Sequence, residues 1–323
     1  MNITRPKAVP ATAETVTMAA RCLRQGLLVA FPTETVYGLG ADATNHDAVQ
    51  EIFAVKRRPA INPLIVHLAD LLAAHRLARF NPLAERLAKA FWPGPLTLVL
   101  PRLEDCPASL LVSAGLSTIA LRVPNHALAL DLLRQTERPL AAPSANRSGQ
   151  LSPTRAEHVV AGFDDGLAMV LDGGRCPLGI ESTVLAVDNE VRLLRPGGLT
   201  REAIVAEVGG LVESLPEPTD GAPISPGQLP SHYAPSLPLR LEATTVAADE
   251  ALLAFGPDLP EGAALSLNLS PSGDLAEACA NLFTMLHQLD RPELQAIAVM
   301  AIPRRGLGAA LNDRLRRAAA PRD

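Results

Sequence analysis

The chain has 323 residues, of which 48% are hydrophobic and 20% charged, and its formal net charge is −5 at pH 7. This composition excludes an intrinsically disordered chain, and the length is sufficient for two hydrophobic cores. The negative net charge argues against a protein coated with positive potential for binding nucleic acid, although it does not exclude a local basic patch.

The cysteine pattern bears on cellular location. The four cysteines are far apart and contain no C-x-x-C pair: Cys22, Cys106, Cys176 and Cys279. Scattered thiols argue against a disulfide framework or a zinc site and suit a reducing compartment. No apolar run approaches about 18 residues, and the N-terminus lacks a signal-peptide pattern. The sequence therefore predicts a cytoplasmic protein that does not associate with membranes.

Apolar periodicity predicts alternating helices and strands over the first 200 residues. Helical spacing predicts helices at residues 12–25, 47–56, 83–91, 127–135 and 155–160. Short apolar runs predict strands at residues 27–31, 64–68, 96–100, 118–123, 167–171, 183–187 and 191–194. This mixture indicates an α/β domain with a single large sheet.

The composition changes at about residue 215, where a proline-crowded stretch extends to residue 238. Beyond it, strands are predicted at residues 252–255, 264–267 and 296–301, with a long amphipathic helix at 275–289. We therefore expect a first domain at 1–212, a linker at 213–237 and a smaller Rossmann-like α/β domain at 238–323. The Gly306-Leu307-Gly308 segment lacks the third glycine of a dinucleotide fingerprint, so it predicts a turn between a strand and a helix.

Two polar clusters follow predicted elements in the first domain. Residues 32–40, PTETVYGLG, come directly after a predicted strand, where α/β sheets place ligands. A tight turn with a capping threonine is the alternative interpretation. Lys56, Arg57 and Arg58 end a predicted helix, where the helix dipole favours cations. Three adjacent cations repel one another, however, and a triphosphate would relieve that repulsion.

Further polar residues lie at the ends of later strands. Arg122 lies in an otherwise apolar strand and needs an anionic partner, either a protein carboxylate or a substrate carboxylate. Residues 141–154 form a loop of hydroxyls and small side chains before a helix, which suits phosphate oxygens. Residues 179–184 and 194–198 place hydroxyl and basic groups at two more strand ends. We expect these clusters to converge on one site.

The chain contains no Walker loop, no H-E-x-x-H, no G-x-S-x-G and no kinase signature. If the protein binds ATP, it does so without a Walker loop.

In sequence order, these motifs resemble those of the YrdC-like family, specifically its two-domain threonylcarbamoyl-AMP synthases. The motifs that carry the resemblance are PTETVYGLG, K-x-R-P, NPLIVH, FWPGPLTLVL, ALRVP, APSAN-x-SG, GIESTV, LLRPGG, SPGQLPSHYAP and NLSPSGDLAEA. The resemblance implies an open twisted sheet around a concave cavity. It also implies that L-threonine, bicarbonate (or CO2) and ATP react to give threonylcarbamoyl-adenylate and pyrophosphate. This product would serve the tRNA-modification machinery, for adenosine 37 of tRNAs that read codons beginning with A.

The resemblance also implies roles for individual residues. Those expected to bind threonine are Thr35, His67, Arg122, Ala142 and Ser182, with Arg122 on the carboxylate. Those expected to bind ATP are Arg58, Asn62, Thr118, Ser144, Ser152, Arg195 and Tyr233, with Tyr233 covering the cavity as a lid. Lys56 and Arg58 are expected to be catalytic by neutralising charge on the departing pyrophosphate. Mg2+ is expected on the phosphates of ATP rather than on protein ligands.

The sequence departs from the family pattern in two places, and two other functions are alternatives. Ala142 stands where some relatives carry serine, and residues 228–231 stand where other relatives carry basic residues.

A non-catalytic module that binds tRNA or double-stranded RNA could use the same cations, and weak RNA binding is compatible with the synthase as well. Such a module has no use, however, for an amino-acid pocket at Thr35, Arg122 and Ser182. Carbamoyl-transfer domains of hydrogenase maturation proteins accompany zinc-binding and acylphosphatase segments, which this chain lacks.

Overall fold

The structure, a computed structural model, describes residues 6–213 and 232–321. A mixed sheet of eleven strands dominates the first of these ranges. In chain order its strands are β1 (Ala8–Pro10), β2 (Val29–Phe31), β3 (Gly38–Asp42), β4 (Ile65–His67), β5 (Leu96–Pro101), β6 (Thr118–Arg122), β7 (Leu140–Ala141), β8 (Met169–Asp172), β9 (Thr183–Val187), β10 (Val191–Arg195) and β11 (Val212–Glu213). Across the sheet they follow the order β1-β8-β2-β3-β7-β4-β6-β5-β9-β10-β11. The prediction of an α/β fold with one large sheet is confirmed.

Seven α-helices and one short 3-10 helix accompany this sheet in the described residues. They are α1 (Ala13–Arg24), α2 (His46–Lys56), α3 (Leu71–His75), α4 (Pro82–Phe91), α5 (Ala127–Thr136), α6 (Ala156–Gly162), α7 (Arg201–Val208) and the 3-10 helix Leu110–Ser113. The start of α1 shows why the sequence fixes such boundaries. Thr12 Oγ1 accepts a hydrogen bond from the Thr15 amide at 3.2 Å, while Thr15 Oγ1 accepts one from the Thr12 amide at 2.8 Å. This reciprocal capping box satisfies backbone donors that a helix start otherwise leaves unpaired.

The PTETVYGLG segment is the loop and second strand of a hairpin. β2 and β3 pair antiparallel, with Phe31 opposite Gly38, so residues 32–37 form the connecting loop. The apolar pattern did not predict β3, because two of its five residues are glycine. Gly40 is needed for packing, since a Cβ there would lie 2.8 Å from the Phe31 ring. The hairpin therefore holds Thr33, Glu34 and Thr35 at a fixed strand end.

The second described range contains a parallel sheet of four strands. Its strands are β12 (Leu239–Arg240), β13 (Glu250–Ala254), β14 (Leu265–Asn268) and β15 (Ala296–Val299), in the order β12-β15-β13-β14. Two helices pack with them, α8 (Leu275–Leu289) and α9 (Gly308–Ala318). A small Rossmann-like α/β unit is thus confirmed. The Gly306–Gly308 segment is the predicted turn between β15 and α9, and a Cβ at Gly308 would lie 1.8 Å from the Pro303 carbonyl oxygen.

Most of the predicted linker, residues 214–231, lies outside the described residues, so the domain limits 1–212, 213–237 and 238–323 stay predictions. In the part of the chain that the structure describes, none of the helices has both the length and the apolar character needed to cross a bilayer.

Candidate active site

Strand ends and loops from distant parts of the chain line one cavity. The predicted site residues that line it are Thr35, Arg58, His67, Arg122, Ala142, Ser144, Ser182, Arg195 and Tyr233. Thr35 comes from the β2–β3 hairpin, His67 ends β4 and Arg122 ends β6. Because β4 and β6 are parallel neighbours with His67 directly opposite Arg122, the sheet itself places these two side chains together. The expected convergence of separate motifs is present.

Four predicted site residues do not line this cavity among the described residues: Lys56, Asn62, Thr118 and Ser152. Asn62 is fully buried, and both polar atoms of its amide lack a hydrogen-bond partner. Thr118 begins β6 and is half-buried at the opposite end of the strand from Arg122. Ser152 is fully buried, and its hydroxyl donates a 2.5 Å hydrogen bond to Glu181. Their proposed roles toward ATP stay predictions.

One side of the cavity, which we call the Arg122 corner, consists of Thr35, His67 and Arg122. The Arg122 guanidinium is buried, and its three nitrogens contact three different groups. Nη2 forms an ion pair with Glu34 Oε1 at 2.7 Å, and Nη1 donates to Thr35 Oγ1 at 2.9 Å. Nε donates to the Gly94 carbonyl at 3.3 Å. The anionic partner that the sequence left open is therefore the protein carboxylate of Glu34, which orients the guanidinium toward the cavity.

His67 is uncharged in the Arg122 corner. Burial and the neighbouring Arg122 lower the pKa of His67 to about 3, so the imidazole is neutral at pH 7. Its Nδ1 atom lacks a hydrogen-bond partner among the described residues. A neutral imidazole with an open nitrogen, beside a fixed guanidinium and a threonine hydroxyl, suits a small polar ligand that carries a carboxylate.

The other side of the cavity, which we call the basic corner, consists of Arg58, Arg195, His232 and Tyr233. Arg58 donates from Nε to the Asn62 carbonyl at 3.1 Å and from Nη2 to the Pro63 carbonyl at 2.8 Å. Arg195 donates from Nη2 to the Ser182 carbonyl at 2.9 Å. Burial and, to a smaller extent, Arg195 lower the pKa of Arg58 to about 9. Burial also lowers the pKa of Arg195, so the charged forms of both arginines are disfavoured until an anion enters the corner.

The three consecutive cations at the end of α2 have different environments. Lys56 is buried, and its Nζ donates to the Ser144 carbonyl at 2.6 Å and to the Asn146 carbonyl. Burial and the charge of Arg58 lower the pKa of Lys56 well below its usual value. Arg57 adopts the left-handed conformation at φ 52° and is exposed, whereas Arg58 is buried and lines the cavity. The left-handed turn at Arg57 thus directs the Arg57 side chain to solvent and leaves Lys56 and Arg58 buried. A triphosphate in the cavity would contact Arg58 directly.

His232 and Tyr233 close the basic corner from the second described range. Burial and four cations, Arg58, Lys56, Arg195 and Arg314, lower the pKa of His232 well below its usual value. Burial raises the pKa of Tyr233. The Tyr233 hydroxyl and His232 Nδ1 both lack hydrogen-bond partners among the described residues. Buried polar atoms without partners indicate that this corner is completed by a ligand or ordered water.

The sequence assigned no role to three residues of the site. Glu34 does not line the cavity but pairs with Arg122, and a carboxylate between two threonines was the available signal. Glu181 and His232 both line the cavity. Ser182, expected to contact threonine, lines the cavity, and its hydroxyl hydrogen-bonds Thr97 at 2.7 Å and Arg195 of the basic corner at 3.3 Å.

Two sequence models match consecutive parts of the chain. The model of the Sua5, YciO and YrdC family, described as "Telomere recombination", matches residues 21–197. The model described as the C-terminal domain of threonylcarbamoyl-AMP synthase matches residues 199–320.

Individual relatives agree with these matches. The threonylcarbamoyl-AMP synthase of Bacillus subtilis (strain 168) is 41% identical over 327 residues, which cover 95% of this chain and 93% of the relative. The crystal structure of Pyrococcus abyssi Sua5 complexed with L-threonine matches with a TM-score of 0.88 and 38% identity, covering 97% of this chain and 96% of that chain. Escherichia coli YciO shares only the fold, with 19% identity, a TM-score of 0.54, and coverage of 60% of this chain and 96% of its own. The chain therefore belongs to the Sua5 family of threonylcarbamoyl-AMP synthases, in the form that carries the C-terminal domain.

Proposed function

We propose that this protein is an L-threonylcarbamoyladenylate synthase, which converts L-threonine, bicarbonate and ATP into threonylcarbamoyl-AMP and pyrophosphate. One observation carries the proposal: Arg122, paired with a carboxylate, lines the same cavity as the buried cations Arg58 and Arg195. An amino acid and a nucleotide could thus bind side by side. The relatives named threonylcarbamoyl-AMP synthase, and the relative solved with L-threonine, support the same activity and amino acid here.

The Arg122 corner would bind threonine. Its carboxylate would accept hydrogen bonds from the Arg122 guanidinium, the geometry that arginine presents best. The Thr35 hydroxyl and the open Nδ1 of His67 would contact the polar groups of the amino acid. Ala142, buried against the cavity, would leave room for the side chain.

The basic corner would bind ATP. Arg58 and Arg195 would contact phosphate oxygens, Ser144 and Tyr233 line the same cavity, and Lys56 would add positive charge from behind the Ser144 carbonyl. Among the described residues, no cluster of three or more His, Cys, Asp or Glu side chains could hold a metal ion. In this proposal Mg2+ arrives on the triphosphate, whose oxygens are the ligands it prefers.

The chemistry needs positioning and charge rather than a covalent intermediate. Threonine and bicarbonate form the carbamate, with release of water and one proton. A carbamate oxygen then forms a bond to the α-phosphorus, the bond from that phosphorus to the bridging oxygen breaks, and pyrophosphate leaves. Arg58, Lys56 and Arg195 would neutralise the charge that grows on the departing pyrophosphate. Because free carbamates decompose in water, a buried cavity protects the intermediate.

The destination of the product stays a prediction of the family resemblance. The adenylate would be used by the tRNA-modification machinery, and the protein would work in the cytoplasm. Its four cysteines are all free, which agrees with a reducing compartment.

The test is incubation of the full chain with ATP labelled at the α-phosphate, Mg2+, bicarbonate and one amino acid at a time. We expect pyrophosphate and labelled adenylate in equal amounts, only when threonine and bicarbonate are both present. Serine and valine, which lack the methyl and the hydroxyl group respectively, should be weaker substrates. Pyrophosphate release that is independent of the amino acid, or no release at all, would exclude the proposed reaction.

A further inference from the structure

Arg314, in the second described range, is buried with 1% of its surface exposed and is among the largest fully buried side chains described. It lies on α9, so its placement depends on how the small parallel sheet and its helices pack against the first domain. A fully buried arginine is costly unless every donor has a partner. Its partners therefore show what the residue stabilises.

The three guanidinium nitrogens of Arg314 reach three groups. Nε donates to Glu181 Oε2 at 2.7 Å, Nη2 donates to the Pro196 carbonyl at 3.0 Å, and Nη1 donates to Asp313 Oδ2 at 2.5 Å. Glu181 lies just before β9 and Pro196 just after β10. One side chain from α9 thus ties together two loops of the first domain.

These two loops carry groups of the basic corner. Glu181 itself lines the cavity, and its other oxygen accepts the Ser152 hydroxyl. Pro196 directly follows Arg195, whose guanidinium lines the cavity. The loops are packed tightly, since a Cβ at Gly197 would lie 2.4 Å from the Glu181 carbonyl oxygen. A shift of either loop would therefore move Arg195 and Glu181 together.

Arg314 also contacts Tyr233 of the basic corner. Its Cζ lies 4.9 Å from the centre of the Tyr233 ring, within the range of a cation–π interaction. Burial alone would lower the pKa of Arg314. Its neighbours Tyr233, Glu181 and Asp313 instead raise that pKa above its usual value, so the guanidinium is charged. Residues of the Arg122 corner are absent from the described contacts of Arg314.

We propose that Arg314 is a positioning residue for the nucleotide: from the second domain, it holds the Glu181 loop, the Pro196 turn and the Tyr233 ring in the arrangement that binds ATP. This inference rests on the proposed function, because it assigns the basic corner to ATP. In this proposal the second domain contributes to the active site, because Arg314 lies on α9 of that domain. Threonine affinity should depend on Arg314 much less than ATP affinity does.

The test compares Arg314→Met and Arg314→Lys in the full chain with a control variant, Arg175→Met. Arg175 also joins the two domains, through Nη2 to the Ala280 carbonyl and, at 2.7 Å, to Asn281 Oδ1, but these partners do not line the cavity. The measurements are the KM values for ATP and for threonine from pyrophosphate release, and the thermal unfolding midpoint. Arg314→Lys keeps the buried positive charge, so it serves as the folded variant if Arg314→Met unfolds. A lysine ammonium cannot make all three contacts of the guanidinium.

We expect both Arg314 variants to raise the KM for ATP by about 10-fold or more, the scale of losing hydrogen bonds to a charged group, with the KM for threonine changed less than about 3-fold. Arg175→Met should lower the unfolding midpoint and leave both KM values within about 2-fold. A folded Arg314 variant with the wild-type KM for ATP would overturn the inference, as would an equal rise in both KM values. If the unmodified chain releases no pyrophosphate, the proposed function fails before any variant is compared.

Discussion

Arg122 and Arg58 are both buried arginines that line one cavity, yet their partners differ in charge. Arg122 pairs with the Glu34 carboxylate at 2.7 Å, whereas Arg58 donates to the carbonyl oxygens of Asn62 and Pro63. The Arg122 corner is therefore close to neutral, whereas the described partners of Arg58 in the basic corner supply no negative charge. A neutral corner suits a zwitterion such as an amino acid, and a positive one suits a polyanion such as ATP. The difference in charge between the two corners is therefore enough to direct the amino acid to one corner and ATP to the other.

The largest expected effect comes from removing the cation of the Arg122 corner. Arg122→Ala should lower kcat/KM for threonine by about 30-fold to several thousand-fold, because losing one partner of a buried charge pair costs about 2–5 kcal/mol. ATP binding, which depends on the other corner, should change by less than about 3-fold. Steady-state pyrophosphate release, together with separate titrations of threonine and ATP, would check both expectations.

The control for this variant addresses stability. Arg122→Ala leaves Glu34 buried without its cation, which itself costs about 3–5 kcal/mol. Combining it with Glu34→Gln should restore much of the free energy of unfolding without restoring turnover. If the double variant regained threonine-dependent activity, Arg122 would serve only to neutralise Glu34.

A smaller effect is expected from the basic corner. Arg58→Gln should raise the KM for ATP by about 10-fold to 100-fold, the range for hydrogen bonds to charged groups, with little change in the KM for threonine. Its neighbour Arg57 is exposed and left-handed, so Arg57→Asn, which tolerates that backbone conformation, is the matched control. Equal effects of the two substitutions would show that only the total charge of the segment matters, and would remove the distinction between the corners.

The sequence predicted the corners better than their internal contacts. Polar residues in or beside predicted strands, Arg122 and Ser182 among them, were expected to converge because strand ends recur at one edge of an α/β sheet. The roles of His67, Arg122 and Ser182 toward threonine came from the family resemblance. The three adjacent cations predicted an anion site, but the sequence did not indicate that Lys56 faces backbone carbonyls while Arg57 faces solvent. That difference depends on a single left-handed residue at the helix end.

Contacts between distant segments were beyond sequence reasoning. The Arg122–Glu34 pair joins residues that only sheet pairing brings together, through β2, β3, β7, β4 and β6. Nothing in the sequence distinguishes Arg314 from the neighbouring Arg316 and Arg317. Its burial is a result of docking between domains, and single-sequence periodicity contains no information on docking.

The smallest expected effect concerns two neutral histidines, one in each corner. His67 has a pKa of about 3, and the pKa of His232 is also well below its usual value. In the unfolded chain both would titrate near 6.5. Below that pH the unfolded chain binds more protons than the folded one, so stability falls as the pH is lowered, by about 1.4 kcal/mol per pH unit for each such histidine. Above pH 6.5 neither residue contributes to the slope.

His67→Asn and His232→Asn should each therefore flatten the loss of stability between about pH 6 and pH 4.5, while running parallel to the unmodified protein above pH 7. The measurement is the free energy of unfolding from denaturant titrations at several pH values. Bound ATP should distinguish the two, because its negative charge offsets the cations that depress the pKa of His232, whereas zwitterionic threonine leaves the charge around His67 unchanged. If ATP reduced the acid sensitivity of the His232→Asn variant as much as that of the unmodified protein, the negative charge of ATP would not be acting on the pKa of His232.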